Sequence, residues 1–66
     1  MTAKLTPVRF TAQSASSVLA HEGAMADRYL TMAAYATDPA EVDALIRIAE
    51  SHERIAARAA KALERF

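Results

Sequence analysis

Glu22 and His52 are the side chains of this sequence whose types and positions point most directly to chemistry. The sequence has no cysteine, which removes disulfides and every thiolate metal site. Ser14, Ser16 and Ser17 have no histidine placed to activate them, and there is no glycine-rich phosphate loop. Nucleophilic catalysis and nucleotide chemistry are therefore not indicated, and we do not expect an enzyme.

Helices must position these two residues, because the composition is rich in alanine and contains one glycine and two prolines. Asp38 and Pro39 predict a helix start, with Asp38 as N-cap, Pro39 in the first helical position and Glu41 completing a capping box. Thr11 or Ser14 is the candidate cap of an earlier helix. The predicted elements are, in chain order, a helix over about 12–36, a turn at 37–38 and a helix over about 39–65.

Apolar residues recur at alternating steps of three and four along both predicted helices. The first series is Ala15, Val18, Met25, Tyr29, Met32 and Ala36, and the second is Val42, Leu45, Ala49, Ala56, Ala59, Leu63 and Phe66. Ile48 joins the arc of the second helix. Each series skips one position, which is Glu22 in the first and His52 in the second.

The short turn predicts an antiparallel hairpin, and a chain of 66 residues is too small to bury both stripes alone. We therefore expect an all-α hairpin that assembles into a helical bundle oligomer, most simply a dimer.

Glu22 and His52 are predicted to lie at the same height, because both are equally far from an antiparallel turn. Either side chain alone would lose several kcal/mol of solvation if it were charged and buried, whereas a hydrogen-bonded pair offsets part of that cost. The preferred interpretation is a buried polar contact that fixes helix register or subunit pairing. A different helix rotation would instead leave one of the two at a subunit edge.

A metal site is the alternative interpretation of Glu22 and His52. A two-fold dimer would bring two copies of each residue together, and two carboxylates with two imidazoles are adequate ligands for zinc, iron or manganese. This layout resembles the hairpins of ferritin-like di-iron proteins, in which one helix supplies a glutamate and the next a Glu-x-x-His motif. The position three before His52 is Ala49, while Glu50 and Glu53 fall on other sides of the helix. Because of this departure from the motif, ferroxidase activity is not carried over from the resemblance. No cofactor is expected, with a mononuclear or structural divalent metal as the alternative.

Five basic residues form the other feature that could bind a ligand. They project from the side of the second helix opposite its apolar arc, and they are Arg47, Arg54, Arg58, Lys61 and Arg65. Glu50 and Arg54 have the four-residue spacing that favours an ion pair, so the main interpretation is a solvated, salt-bridged surface. The alternative is nucleic-acid binding through this stripe, although no aromatic residues alternate with the arginines to stack bases.

Several residues of the first helix have ordinary interpretations. His21 is predicted to be exposed, Tyr29 to lie in the core with its hydroxyl at an edge, and Tyr35 to lie outside the main stripe. Gly23 costs about 1 kcal/mol relative to alanine in a helix, and it either marks a close helix approach or has no packing reason.

The first ten residues are assigned to an N-terminal arm (1–10), and residues 11–66 form the hairpin domain. Leu5, Val8 and Phe10 would lie on a neighbouring subunit, with an extra helical turn from Thr6 as the alternative. The formal net charge of zero gives no global attraction to nucleic acid or to an anionic membrane. Without a signal peptide or spanning segment, the expectation is a cytoplasmic protein whose partner is itself, with another helical protein as the alternative.

Overall fold

The computed structural model describes residues 11–66, and these form two α-helices packed against each other as a hairpin. Helix α1 spans Ala12–Tyr35 and helix α2 spans Pro39–Leu63, and no strand occurs in this part of the chain. The predicted all-α hairpin is confirmed, with each helix ending one or two residues earlier than expected. The predicted N-terminal arm lies outside the described residues.

Side-chain caps fix where each helix begins. The Thr11 hydroxyl accepts a hydrogen bond from the Ser14 amide at 3.0 Å, and the Ser14 hydroxyl accepts one from the Thr11 amide at 2.8 Å. The two candidate caps of α1 thus act together as one capping box. At α2, the Asp38 carboxylate accepts from the Ala40 amide at 3.1 Å, with Pro39 next in the chain. Asp38 therefore caps α2 without the capping box that Glu41 was predicted to complete.

Alanine supplies five of the six buried apolar residues between the helices. The buried apolar residues of the described region are Ala15, Ala26, Ala33, Leu45, Ala49 and Ala59. An alanine methyl contributes about 0.8 kcal/mol of hydrophobic stabilisation, against about 1.5 to 3 kcal/mol for a fully buried leucine, isoleucine or methionine. The hairpin thus has a thin core of its own, which small side chains close tightly.

Larger apolar side chains remain outside this core. Met32, Ile48 and Phe66 were predicted to lie in the apolar stripes, but they are 47%, 40% and 69% exposed, and Leu30 and Ile55 are each 41% exposed. The reason is geometric, since one helix covers only a narrow strip of its neighbour. Neither α1 nor α2 has an apolar stretch long enough to cross a bilayer.

Gly23 lies in the middle of α1, and the helix backbone there is regular. A Cβ atom added at this position would meet nothing within 4 Å. The interpretation of Gly23 as a point of close approach between the two helices is therefore wrong.

Candidate functional site

Glu22 and His52 meet between the midpoints of the two helices. His52 Nδ1 and Glu22 Oε2 form a hydrogen bond across a separation of 30 residues in sequence. The Glu22 side chain is 16% exposed and the His52 side chain is 23% exposed, so both lie at the margin of the contact between the helices. The alignment of the two helices that the position of the turn predicts, with Glu22 opposite His52, is thus the alignment found in the hairpin.

The hydrogen bond determines which ring nitrogen of His52 remains available. An ionised carboxylate only accepts hydrogen bonds, so Nδ1 of a neutral imidazole carries the proton and Nε2 keeps its lone pair. Within residues 11–66, no hydrogen bond is made by Nε2, and no buried side-chain nitrogen or oxygen lacks a partner. Nε2 is therefore accessible, and it is oriented by Glu22 in the way that a carboxylate orients a metal-binding histidine.

Tyr29 also contacts His52, and we refer to Glu22, His52 and Tyr29 together as the polar layer. Its ring stacks on the His52 imidazole, with the ring centroids 5.6 Å apart and the planes inclined by 12°. Side chains lean toward the N-terminus of their own helix, and the two helices run in opposite directions, so Tyr29 and His52 lean toward each other. Sequence reasoning placed Tyr29 in the core but missed this stack. The available signal was its position one heptad after Glu22.

A single hairpin offers few ligands to a metal ion. Among residues 11–66, no three histidine, aspartate or glutamate side chains lie close enough together to hold one. Ala49, which stands where a ferritin-like motif has glutamate, is fully buried against α1, while Glu50 and Glu53 are exposed. The ferritin-like resemblance therefore extends to the hairpin and to the Glu22–His52 pair. Any metal held by this layer therefore needs ligands beyond Glu22 and His52 of one hairpin.

The basic stripe of α2 lies in solvent along its whole length. Arg47 pairs with Asp43 at 3.0 Å, with both side chains more than half exposed, so the pair adds little stability. Arg54 donates a hydrogen bond to the Ser51 hydroxyl at 3.3 Å, and the predicted Glu50–Arg54 ion pair does not form. Nucleic-acid binding through the stripe stays a prediction, and its signature would be an affinity that falls steeply with salt.

Comparison of the chain with models of known protein families, with curated proteins and with solved structures gave no match. The function must therefore be argued from the contacts, exposure and charge of residues 11–66.

Proposed function

We propose that the chain is a non-enzymatic structural module that assembles with further copies of itself into a helical bundle. The observation that supports the proposal is the contrast between the core and the surface of the hairpin. The buried positions hold alanines and one leucine, whereas Leu30, Met32, Ile48 and Ile55 are each 40% exposed or more. The larger apolar side chains thus gain the most from contact with another chain.

The magnitude of this effect favours association. Fully burying a leucine, isoleucine or methionine stabilises by about 1.5 to 3 kcal/mol, so covering a side chain that is less than half exposed returns roughly 1 kcal/mol. A second copy that covers several such residues adds stabilisation comparable to that of the alanine core. Small folds without a disulfide or metal usually need such a contribution from outside.

Sedimentation velocity and native mass spectrometry over micromolar concentrations test this proposal. We expect a dimer or larger assembly, and we expect Ile48→Gln/Ile55→Gln to weaken it while circular dichroism shows the helices intact. Ala24→Gln is the matched control, because Ala24 is exposed on the side of α1 that faces away from α2. A folded wild-type monomer at these concentrations would overturn the proposal.

Metal binding at the polar layer is a second candidate function, favoured by the accessible Nε2 of His52 and by its orientation by Glu22. Two copies would supply two imidazoles to one zinc, iron or manganese ion, with each Glu22 carboxylate orienting the imidazole of its own hairpin. Native mass spectrometry with zinc should then detect one ion per dimer. His52→Ala should abolish binding, and Glu22→Gln should weaken it about 10- to 100-fold.

Measurements on the metal-free wild-type chain distinguish the structural role from the metal site. If the wild-type chain is oligomeric but neither binds zinc, iron or manganese nor gains thermal stability on titration, the metal site is wrong and the structural role stands. Retention of stoichiometric metal by His52→Ala would also exclude this site.

A further inference from the structure

Two open faces remain on the hairpin, because each helix covers only one side of the other. Side chains that lie roughly 55 to 95° around a helix from the line of contact point toward one of these faces, at 100° per residue. The helical angle of a residue is counted from the line of contact, in the N- to C-terminal direction of its own helix. Because the two helices are antiparallel, residues whose angles have the same sign lie on the same face of the hairpin. Helical position therefore assigns each surface side chain to one face.

One face combines methionine and isoleucine side chains with arginines at its edges, and it is named the basic-rimmed face. Its apolar members are Met25, Met32, Ile48 and Ile55. Met25 is half-buried, and the other three are exposed. Arg28 of α1 and Arg58 of α2 are exposed and lie further out on the same side. Glu41, in the first turn of α2, is the acidic exception at the turn end of this face.

The opposite face carries leucine and isoleucine with carboxylates, and it is named the acidic-rimmed face. Its apolar members are Leu19, Leu30 and Ile46, of which Leu30 is exposed and the other two are half-buried. Asp27 of α1 and Glu50 and Glu53 of α2 are exposed on this side. The rim charges named here thus differ in sign between the two faces, although Lys61 lies beside Glu50 around α2, and Arg47 and Arg54 point away from both faces.

We infer that copies of this chain associate face to opposite face, with the basic-rimmed face of one copy packed on the acidic-rimmed face of the next. The inference rests on the proposed self-assembly and specifies its geometry. Apolar side chains meet at the centre of this contact, while arginines and carboxylates face each other at its edges. Such complementary charge favours the correct pairing and suppresses the wrong one.

A two-fold dimer would have the opposite electrostatics, because a two-fold axis pairs each face with itself. Two basic-rimmed faces would bring arginines against arginines, and two acidic-rimmed faces would bring carboxylates against carboxylates. A contact between unlike faces leaves one face of each terminal copy open. Association therefore continues beyond a dimer, into a closed ring or an open stack, and this geometry is incompatible with the two-fold metal site considered above.

Charge reversal in the full chain tests this geometry. The acid-reversed chain is Asp27→Lys/Glu50→Lys/Glu53→Lys, and the base-reversed chain is Arg28→Glu/Arg58→Glu. Ala24→Glu, which adds a charge away from both faces, is the control. Native mass spectrometry and sedimentation measure assembly size and its concentration dependence, and circular dichroism checks the helix content of every variant.

We expect wild type to exceed a dimer and each reversed chain to associate about tenfold more weakly, because like charges now meet at every contact. An equimolar mixture of the two reversed chains should recover assembly, since each then opposes a complementary partner. The chain with all five substitutions should also assemble like wild type, because both rims are exchanged. The Ala24→Glu control should be unchanged.

Several outcomes would overturn the inference. A wild-type assembly that stops at a dimer, with both reversed chains associating as wild type does, would indicate two-fold pairing. Weak assembly of a folded five-substitution chain would show that the rims do not oppose each other. If wild type is oligomeric in either case, the self-assembly proposal survives and only its geometry fails. A folded wild-type monomer would refute both, and would indicate that residues 1–10 or a different protein cover the apolar faces.

Discussion

Removing either partner of the Glu22–His52 hydrogen bond should destabilise the hairpin, and removing both should cost less than the two single losses added together. With side-chain exposures of 16% for Glu22 and 23% for His52, each group has lost most of its contact with water. Glu22→Ala therefore leaves the imidazole partly buried without its partner, and His52→Ala does the same to the carboxylate. A group left in this way costs about 1 to 3 kcal/mol of the free energy of unfolding.

The double variant Glu22→Ala/His52→Ala removes both polar groups at once. Its destabilisation should be smaller than the sum of the single losses, and the difference measures the coupling between the two side chains. The net value of a protein hydrogen bond is about 0.5 to 1.5 kcal/mol, so we expect a coupling free energy of about 1 kcal/mol. His52→Ala also removes the stacking on Tyr29, so it should be the more costly of the two single changes.

Replacement of the pair by Glu22→Leu/His52→Leu should be neutral or stabilising, by up to about 3 kcal/mol, because apolar side chains of similar volume avoid the desolvation of the polar pair. If the polar pair fixes pairing, as one interpretation holds, this variant should also form a wider distribution of assembly sizes in native mass spectrometry.

Urea unfolding followed by circular dichroism measures these free energies. All variants must be compared at one protomer concentration, because assembly adds a concentration-dependent term to the apparent stability. A coupling free energy below about 0.3 kcal/mol would lie within ordinary additivity and would refute the hydrogen bond as a stabilising contact. A large loss of stability in Glu22→Leu/His52→Leu would show instead that the polar layer is essential to the fold.

Three further substitutions probe the helices themselves, each by urea unfolding. Gly23→Ala should stabilise by about 1 kcal/mol because the added methyl meets open space, and a loss of stability would place another chain against this position. Ala49→Leu should cost about 1 to 3 kcal/mol because Ala49 is fully buried between the helices, whereas the exposed control Ala57→Leu should change little; equal effects would contradict the tight alanine contact. Asp38→Ala should cost about 1 kcal/mol through loss of the bond to the Ala40 amide, and an unchanged midpoint would show that Pro39 and the turn suffice to start α2.

Much of the hairpin follows from local physical rules that act on short stretches of sequence. The three and four spacing of apolar residues predicts both helices, because 3.6 residues per turn aligns them on one side. Asp38 and Pro39 locate the turn through capping and the fixed backbone angle of proline. Once the turn is known, counting outward gives the register of the two helices, and this count places Glu22 opposite His52.

The tertiary structure decided what the pattern could not. The helical spacing of residues gives the direction of each side chain but not the width of the strip that a neighbouring helix covers. For this reason Met32 and Ile48 were predicted to lie in the apolar stripes, although they are exposed. The stack of Tyr29 on His52 depends on the opposite lean of side chains in antiparallel helices, and it brings together rings whose positions are not level.

The sequence by itself therefore determined the secondary structure, the turn and the central polar pair, since each depends on spacing along one chain. Only the packed hairpin decided which apolar side chains stay exposed, that His52 bonds Glu22 through Nδ1 and leaves Nε2 without a partner in the described residues, and that Tyr29 stacks on His52. These features arise from the relative placement of two helices in space, and their energies depend on which groups lose water when the helices meet.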